Sequence, residues 1–356
     1  MKDGAPTPAP WRDYRFDCDP YVILLRADPS LSERDVRTIA DQLAHRNDGP
    51  SIWHETRGVI IPCDSLQPHD GIKIKGAGYK KGPVRFGTPH DHAYMLPRYD
   101  FEGNYAPDIA KAHERPHSGG MSYQQALHEV RVSQHVLERG MRTYPPLGYG
   151  SIAFEGMRSW FCLLNVPYRA EFGWSTLIRR PGQRRRSVAR LARTQIKLHR
   201  LGVYLTLWGA AEVDGKFIRK DFHTAHLASP NDSFLARFCY FAFDVNFALY
   251  MLNHPFWIGK MREPDPQEVT LIYLRELTGI DCEAAQVEPF RVLLRDLKEN
   301  ATLDADARVA RIRADPLGAA LLDTFMSDED RAFFASPQGS TMSVCSMAMP
   351  KPSSPT

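Results

Sequence analysis

The chain has 356 residues, a formal charge of +3, 43% hydrophobic and 24% charged residues. That balance suits a soluble globular protein of one large two-lobed domain or two smaller ones, and so small a charge gives no argument for nucleic acid as a partner. No apolar run reaches the roughly 18 residues of a membrane span, and MKDGAPTPAPWRDYRF has no apolar leader core, so no membrane partner is expected and a cytoplasmic location is. Cys18, Cys63, Cys162, Cys239, Cys282 and Cys345 are scattered without CxxC spacing, and read as free thiols of a reducing compartment.

In chain order, the Pro-rich residues 1–17 read as disordered. YVILLR (21–26) reads as a strand and 30–45 as a helix capped by Ser30 or Ser32. The β-branched runs 52–61 and 71–75 read as antiparallel strands. Residues 80–120, rich in Pro, Gly and His, form an insertion without periodicity, of a length usually functional or disordered. A helix capped by Ser122 follows over 121–139, then two strands over 147–165. From Arg184 the pattern is mainly helical: 184–201, 232–253, 266–277, 284–299, 304–314 and 316–335, interrupted by a strand-like segment at 216–220. The run 234–252 is apolar nearly all round, as befits a central buried helix. Residues 336–356 read as a disordered tail. The domain reading is therefore 18–165 sheet-rich, with an N-terminal strand–helix extension and the long insertion, and 166–335 helical. This is an α+β chain with the order of a bilobal protein-kinase-like fold, a sheet-rich N-lobe followed by a helical C-lobe.

Three places carry candidate chemistry. In Gly71-Ile-Lys-Ile-Lys75-Gly-Ala-Gly78, alternation puts Lys73 and Lys75 on one strand face, and the Gly76–Gly78 turn lets backbone approach a phosphate. A surface Lys-Gly turn is the plainer reading. Glu129, in ALHEVRVSQ, is the only acidic residue in its helix's first three turns and can pair with Lys75; a solvent-facing Glu is the alternative. Asp221 follows the strand in KFIRKDF and, preceded by a helix ending in Leu-His-x-x-Gly, stands where a Mg²⁺-binding carboxylate would stand. Lys80, Lys81 and Arg85 follow the Gly turn closely enough to clamp polyphosphate, with a solvated basic loop as the equal alternative. His90-Asp91-His92 reads as a surface cluster, with metal ligation as the rival; His223 and His226 read as packing or phosphate-contacting residues. There is no Gx4GK[ST], GxGxxG or GxSxG, which leaves P-loop, dinucleotide-binding and α/β-hydrolase readings without support.

Taken together, KIKGAG at 73–78 and the helix SYQQALHEVRVSQHVLERGMRT followed by PPLG resemble the selenoprotein O family, over residues 70–150 and more loosely over 184–226. The resemblance implies a protein-kinase-like fold and transfer of AMP to protein hydroxyls. It places the phosphate-contacting lysine at Lys75, its carboxylate partner at Glu129, and the two metal ligands at Asp221 and, nine positions earlier, Glu212. Ala211 stands where the family has its loop Asp, Glu212 where it has Asn, and Leu207 where ordinary kinases carry the catalytic Asp. The expectation is an ATP- and Mg²⁺- (or Mn²⁺-) dependent transferase acting on a protein or small-molecule hydroxyl, with AMP or the γ-phosphoryl group transferred. A pseudokinase-like module working by protein–protein contact is the alternative, and an unrelated α+β protein the third reading.

Overall fold

The computed structural model describes residues 10–45, 52–54, 58–67, 70–77, 121, 123–154, 157–168, 171–173, 181–204, 209–229, 232–253, 266–299 and 305–335. The 80–120 insertion, the 336–356 tail and Ser122 lie outside them. The chain divides into two compact units, with a boundary between Glu171 and Phe172.

The first unit is built on a seven-stranded antiparallel sheet: β1 (Arg12–Cys18), β2 (Tyr21–Ala27), β3 (Ile52–His54), β4 (Gly58–Pro62), β5 (Asp70–Lys75), β6 (Pro146–Phe154) and β7 (Met157–Pro167), in the order β1-β2-β6-β7-β5-β4-β3. The first of these corrects the expectation of disorder up to residue 17. No proline lies between Pro10 and Pro20, and in that interval Tyr14, Phe16 and Cys18 alternate with Asp13, Arg15 and Asp17, and every residue from Arg12 to Cys18 pairs with β2. On one face lies α1 (Glu33–His45), opened by a reciprocal box in which Ser32 Oγ accepts from the Asp35 amide and the Asp35 carboxylate accepts from the Ser32 amide. Its Val36, Ile39, Ala40 and Leu43 join Ile23, Leu25, Ile72, Ile74, Phe161 and Leu163 in one core. The other face meets α2 (Tyr123–Glu138), which packs on β6 and β7.

The short strand β8 (Glu171–Gly173) straddles the boundary, and α3 (Pro181–Arg200) is the first helix of the second unit. Four short strands follow: β9 (Val203–Tyr204), β10 (Ala210–Val213), β11 (Lys216–Arg219) and β12 (His226–Leu227). They form a three-stranded sheet ordered β11-β10-β8 and a β9–β12 pair. The remainder is helical: α4 (Phe234–Asn253), α5 (Pro266–Thr278), α6 (Ala284–Glu299), α7 (Ala305–Arg313), α8 (Pro316–Phe325) and α9 (Asp328–Ala335). The core is centred on α4, where the Phe325 ring from α8 lies 5.2–5.4 Å from the rings of Phe234, Phe238 and Phe241. The single helix expected over 316–335 is two. Ser327 and Asp330 form a second reciprocal box at the break, and the Asp330 carboxylate also accepts from buried Arg237 at 3.2 Å.

The α+β class thus holds. Cys18, Cys63, Cys162, Cys239 and Cys282 are free thiols, and burial pushes that of Cys63 up to about 12. Among the described residues no helix is long and apolar enough to cross a membrane.

Phe161 is fully buried between β-strands and α1. Replacing it with Ala is expected to destabilise the first unit by about 3–5 kcal/mol, read as a lower midpoint in urea unfolding.

Candidate functional site

In β5 the alternation that sends Ile72 and Ile74 into the α1 core sends Lys73 and Lys75 to the opposite face, where Lys75 stands across from Cys162 and Lys73 across from Leu164. That is the face α2 covers. Lys75 Nζ donates to Glu129 Oε2 at 2.8 Å, with the side chains 8% and 1% exposed. The two residues are 54 positions apart, joined by the insertion, yet strand and helix bring them into contact. Burial this deep makes the pair rigid: each charge has left water, and neither can turn away without stranding the other. The strand ends at Gly76, whose φ of +96° belongs to the left-handed region. A β-carbon there would come within 2.7 Å of the Trp160 carbonyl oxygen and 2.9 Å of Met121 Cγ, so the chain can turn beside Lys75 only with glycine. Gly78, Lys80, Lys81, Arg85, His90 and His92 lie outside the described residues.

The second unit carries Asp221. Strands β10 and β11 form a hairpin closed by Asp214-Gly215, both at positive φ as a tight two-residue turn requires. The ladder continues one step past the named strands, through a bond from the Lys220 amide to the Gly209 carbonyl at 2.7 Å. Asp221 then leaves it at φ +66°, ψ +51°, a left-handed conformation uncommon outside glycine, and enters a short 3₁₀ turn over Phe222–Thr224. Phe222 is fully buried, anchoring the turn. Gly209 makes this possible, because a β-carbon there would meet the Lys220 carbonyl and come within 2.8 Å of Asp221 Cβ.

Glu212 does not join Asp221. The register sets Glu212 opposite Phe217, four residues before Asp221, so about 13 Å of extended chain separates the two positions along the hairpin. Its carboxylate instead accepts from Arg190 of α3 at 3.4 Å. The expected pair of carboxylates on one cation is therefore corrected: counting nine residues back from Asp221 ignored that the strands fold back at Asp214-Gly215. Ala211 is fully buried within β10, and Leu207 lies outside the described residues.

A buried polar cluster that the sequence reading passed over underlies the hairpin. His199, at the end of α3, shares a 2.8 Å hydrogen bond through Nε2 with Asp244 of α4. Its ring stacks on Tyr204 at 5.2 Å and meets Phe241 edge-on at 4.5 Å. Arg219, the last residue of β11, is 2% exposed; burial draws its guanidinium down to about 10, with the charges of Asp244 and Asp221 acting the other way. It thus keeps its charge at neutral pH and feels both carboxylates. Nearby, Tyr273 donates to Gln195 at 2.6 Å. The sequence held a signal for Asp244, the only acidic residue in the largely apolar FLARFCYFAFDVNFALYMLN. A lone carboxylate in a central helix needs an internal partner. His223 is 8% exposed, and His226 shares a 2.8 Å bond with Asp232, which favours packing and hydrogen-bonding roles for both.

Two predictions follow from these charges. Lys75→Met or Glu129→Leu alone strands a buried charge and should cost about 3–5 kcal/mol, while the double variant should recover most of that loss in a urea-unfolding cycle. The second concerns pH. Burial, opposed by the hydrogen bond to Asp244, holds folded His199 below its ordinary value of 6.5. The unfolded chain therefore binds the extra proton first, so this stability is present above about pH 6.5 and is lost as pH falls below it. Wild-type stability should drop more steeply from pH 7 to 5 than that of His199→Gln, followed by denaturant midpoints.

No protein-family model matches this chain, and no curated protein does.

Proposed function

We propose that the chain is a Mg²⁺–ATP-dependent transferase of bilobal protein-kinase-like fold, acting on a hydroxyl of a protein or small molecule. The observation that carries this reading is the buried Lys75–Glu129 pair. A buried ion pair is a poor stabiliser, since apolar side chains of the same volume do as well or better. Its use is to hold an ammonium at a fixed point, which a nucleotide phosphate requires. The turn at Gly76 and Gly78, with Lys80, Lys81 and Arg85 beyond it, is assigned to the same polyphosphate. Mg²⁺ bound to a nucleotide takes one or two carboxylates alongside phosphate oxygens, and Asp221 is assigned as the carboxylate. Glu212, held by Arg190, is given no part in it.

In this reading Lys75 and Asp221 position charge rather than move protons. The acceptor oxygen bonds to the α-phosphorus with pyrophosphate leaving, or to the γ-phosphorus with ADP leaving, and the hydroxyl proton passes to water. Preorganised charge supplies most of the acceleration in such transfers, which makes Ala211 in place of a loop carboxylate tolerable.

The pseudokinase-like reading is favoured by a different observation: Ala211 is sealed inside β10 and Glu212 is occupied by Arg190. Thermal melting with ATP, with and without Mg²⁺ or Mn²⁺, separates the two together with a transfer assay using ATP labelled at the α- or γ-phosphate. Nucleotide at a hundred times its dissociation constant should add about 2.7 kcal/mol of stability. Asp221→Asn, which keeps a side chain suited to the left-handed conformation, should abolish the metal-dependent part of that gain and leave the melting without ligand nearly unchanged. Stabilisation without label transfer would select the binding module. No stabilisation at millimolar ATP would remove the enzyme reading.

A further inference from the structure

Helix α3 has an unusual charge distribution. Its buried residues, Arg184, Val188, Leu191, Gln195 and Leu198 among them, follow the 3.6-residue period and face the core. The opposite side is formed by Arg186, Arg190, Arg193, Lys197 and Arg200, spaced by four, three, four and three residues. Those positions fall within about 80° of arc and span roughly 21 Å of helix. PGQRRRSVARLARTQIKLHR contains no acidic residue at all. A solvated helix face ordinarily mixes signs, because like charges four apart repel by a few tenths of a kcal/mol per pair.

Two of the five cations are met from neighbouring elements. Arg190 pairs with Glu212 at 3.4 Å, and Arg193 pairs with Glu276 of α5 at 2.7 Å. Arg186, Lys197 and Arg200 are exposed and have no ion-pair partner among the described residues, and exposed Arg185 flanks them. The stripe is thus a row of cations, part of it already showing which anion it accepts.

We propose that the solvent face of α3 docks an acidic, Asp/Glu-rich segment of a protein partner. Three features favour carboxylates over a nucleic-acid backbone. The partners the stripe already holds are glutamates. It carries no exposed aromatic ring on which a base could stack, as single-strand binders do. The whole-chain charge of +3 is low for a phosphate-backbone binder. Complementary surface charge of this kind sets encounter rate and partner choice, and is screened within about 10 Å at 0.1 M salt. The surface is independent of nucleotide, so it stands or falls separately from the proposed transferase activity.

The test uses the full chain without ATP. A fluorescently labelled twelve-residue Glu-rich peptide is titrated at 50 mM and 300 mM salt, beside a single-stranded oligonucleotide of equal charge. Peptide binding at low salt that weakens at high salt is expected, with at least a tenfold loss in Arg186→Glu/Lys197→Glu/Arg200→Glu. The neutral Arg186→Gln/Lys197→Gln/Arg200→Gln variant should lose less. Both should remain folded and melt close to the wild-type temperature, since relieved repulsion along the stripe offsets the loss of cations from the helix's last turn. No peptide binding at 50 mM salt, equal affinity in the reversed variant, or tighter binding of the oligonucleotide would each overturn the proposal.

Discussion

Much of the first unit follows from burying one ammonium until little of it meets water. Lys75 can be buried only if a carboxylate meets it, and Glu129 can be buried only against a cation. That mutual requirement fixes the rotation of α2 about its axis and its height over the sheet, since a turn's displacement of the helix would strand both charges. The sheet must in turn supply a strand whose alternate residues serve two environments. Strand β5 does so, with isoleucines toward α1 and lysines toward α2. The hydrophobic core on one face and the ion pair on the other are therefore two readings of a single period-two pattern.

In the second unit the corresponding constraint is a carboxylate, Asp244, buried in a helix of aromatic and aliphatic side chains. It ties the end of α3, through His199, to the electrostatic surroundings of Arg219 at the end of β11. The two chain segments that deliver Asp221 are thus linked to the most buried helix of the unit. Gly209 and Phe222 then settle the path of the hairpin's exit, one by leaving room and the other by filling it.

Local periodicity made most elements legible in the sequence. The helix over 284–299 is where the apolar spacing puts it, and the helix expected over 232–253 and the strand expected over 71–75 run over 234–253 and 70–75. The Lys75–Glu129 contact was also legible, because a lone acid on an amphipathic helix and a lysine on a strand leave few ways to satisfy both. Strand β1 was not, since its charged outward residues look like those of a solvated terminus until a pairing partner is known. The break between α8 and α9 was hidden because Ser327 and Asp330 suit a helix surface as well as a cap. The placement of Glu212 failed for a geometric reason: counting residues along a chain measures distance only until the chain reverses, and Asp214-Gly215 reverses it.

The backbone at Asp221 bears on how such a position could persist. A left-handed residue other than glycine carries about 1 kcal/mol of conformational strain, somewhat less for an aspartate, and Asp221→Gly would relieve it at once. Glycine would also free the unfolded chain at a cost of about 0.5–1 kcal/mol, so the exchange gains little stability while the carboxylate near Arg219 is lost with the strain. The left-handed bend is therefore open to either residue, and what aspartate adds is a carboxylate carried at the strand's exit within the field of Arg219.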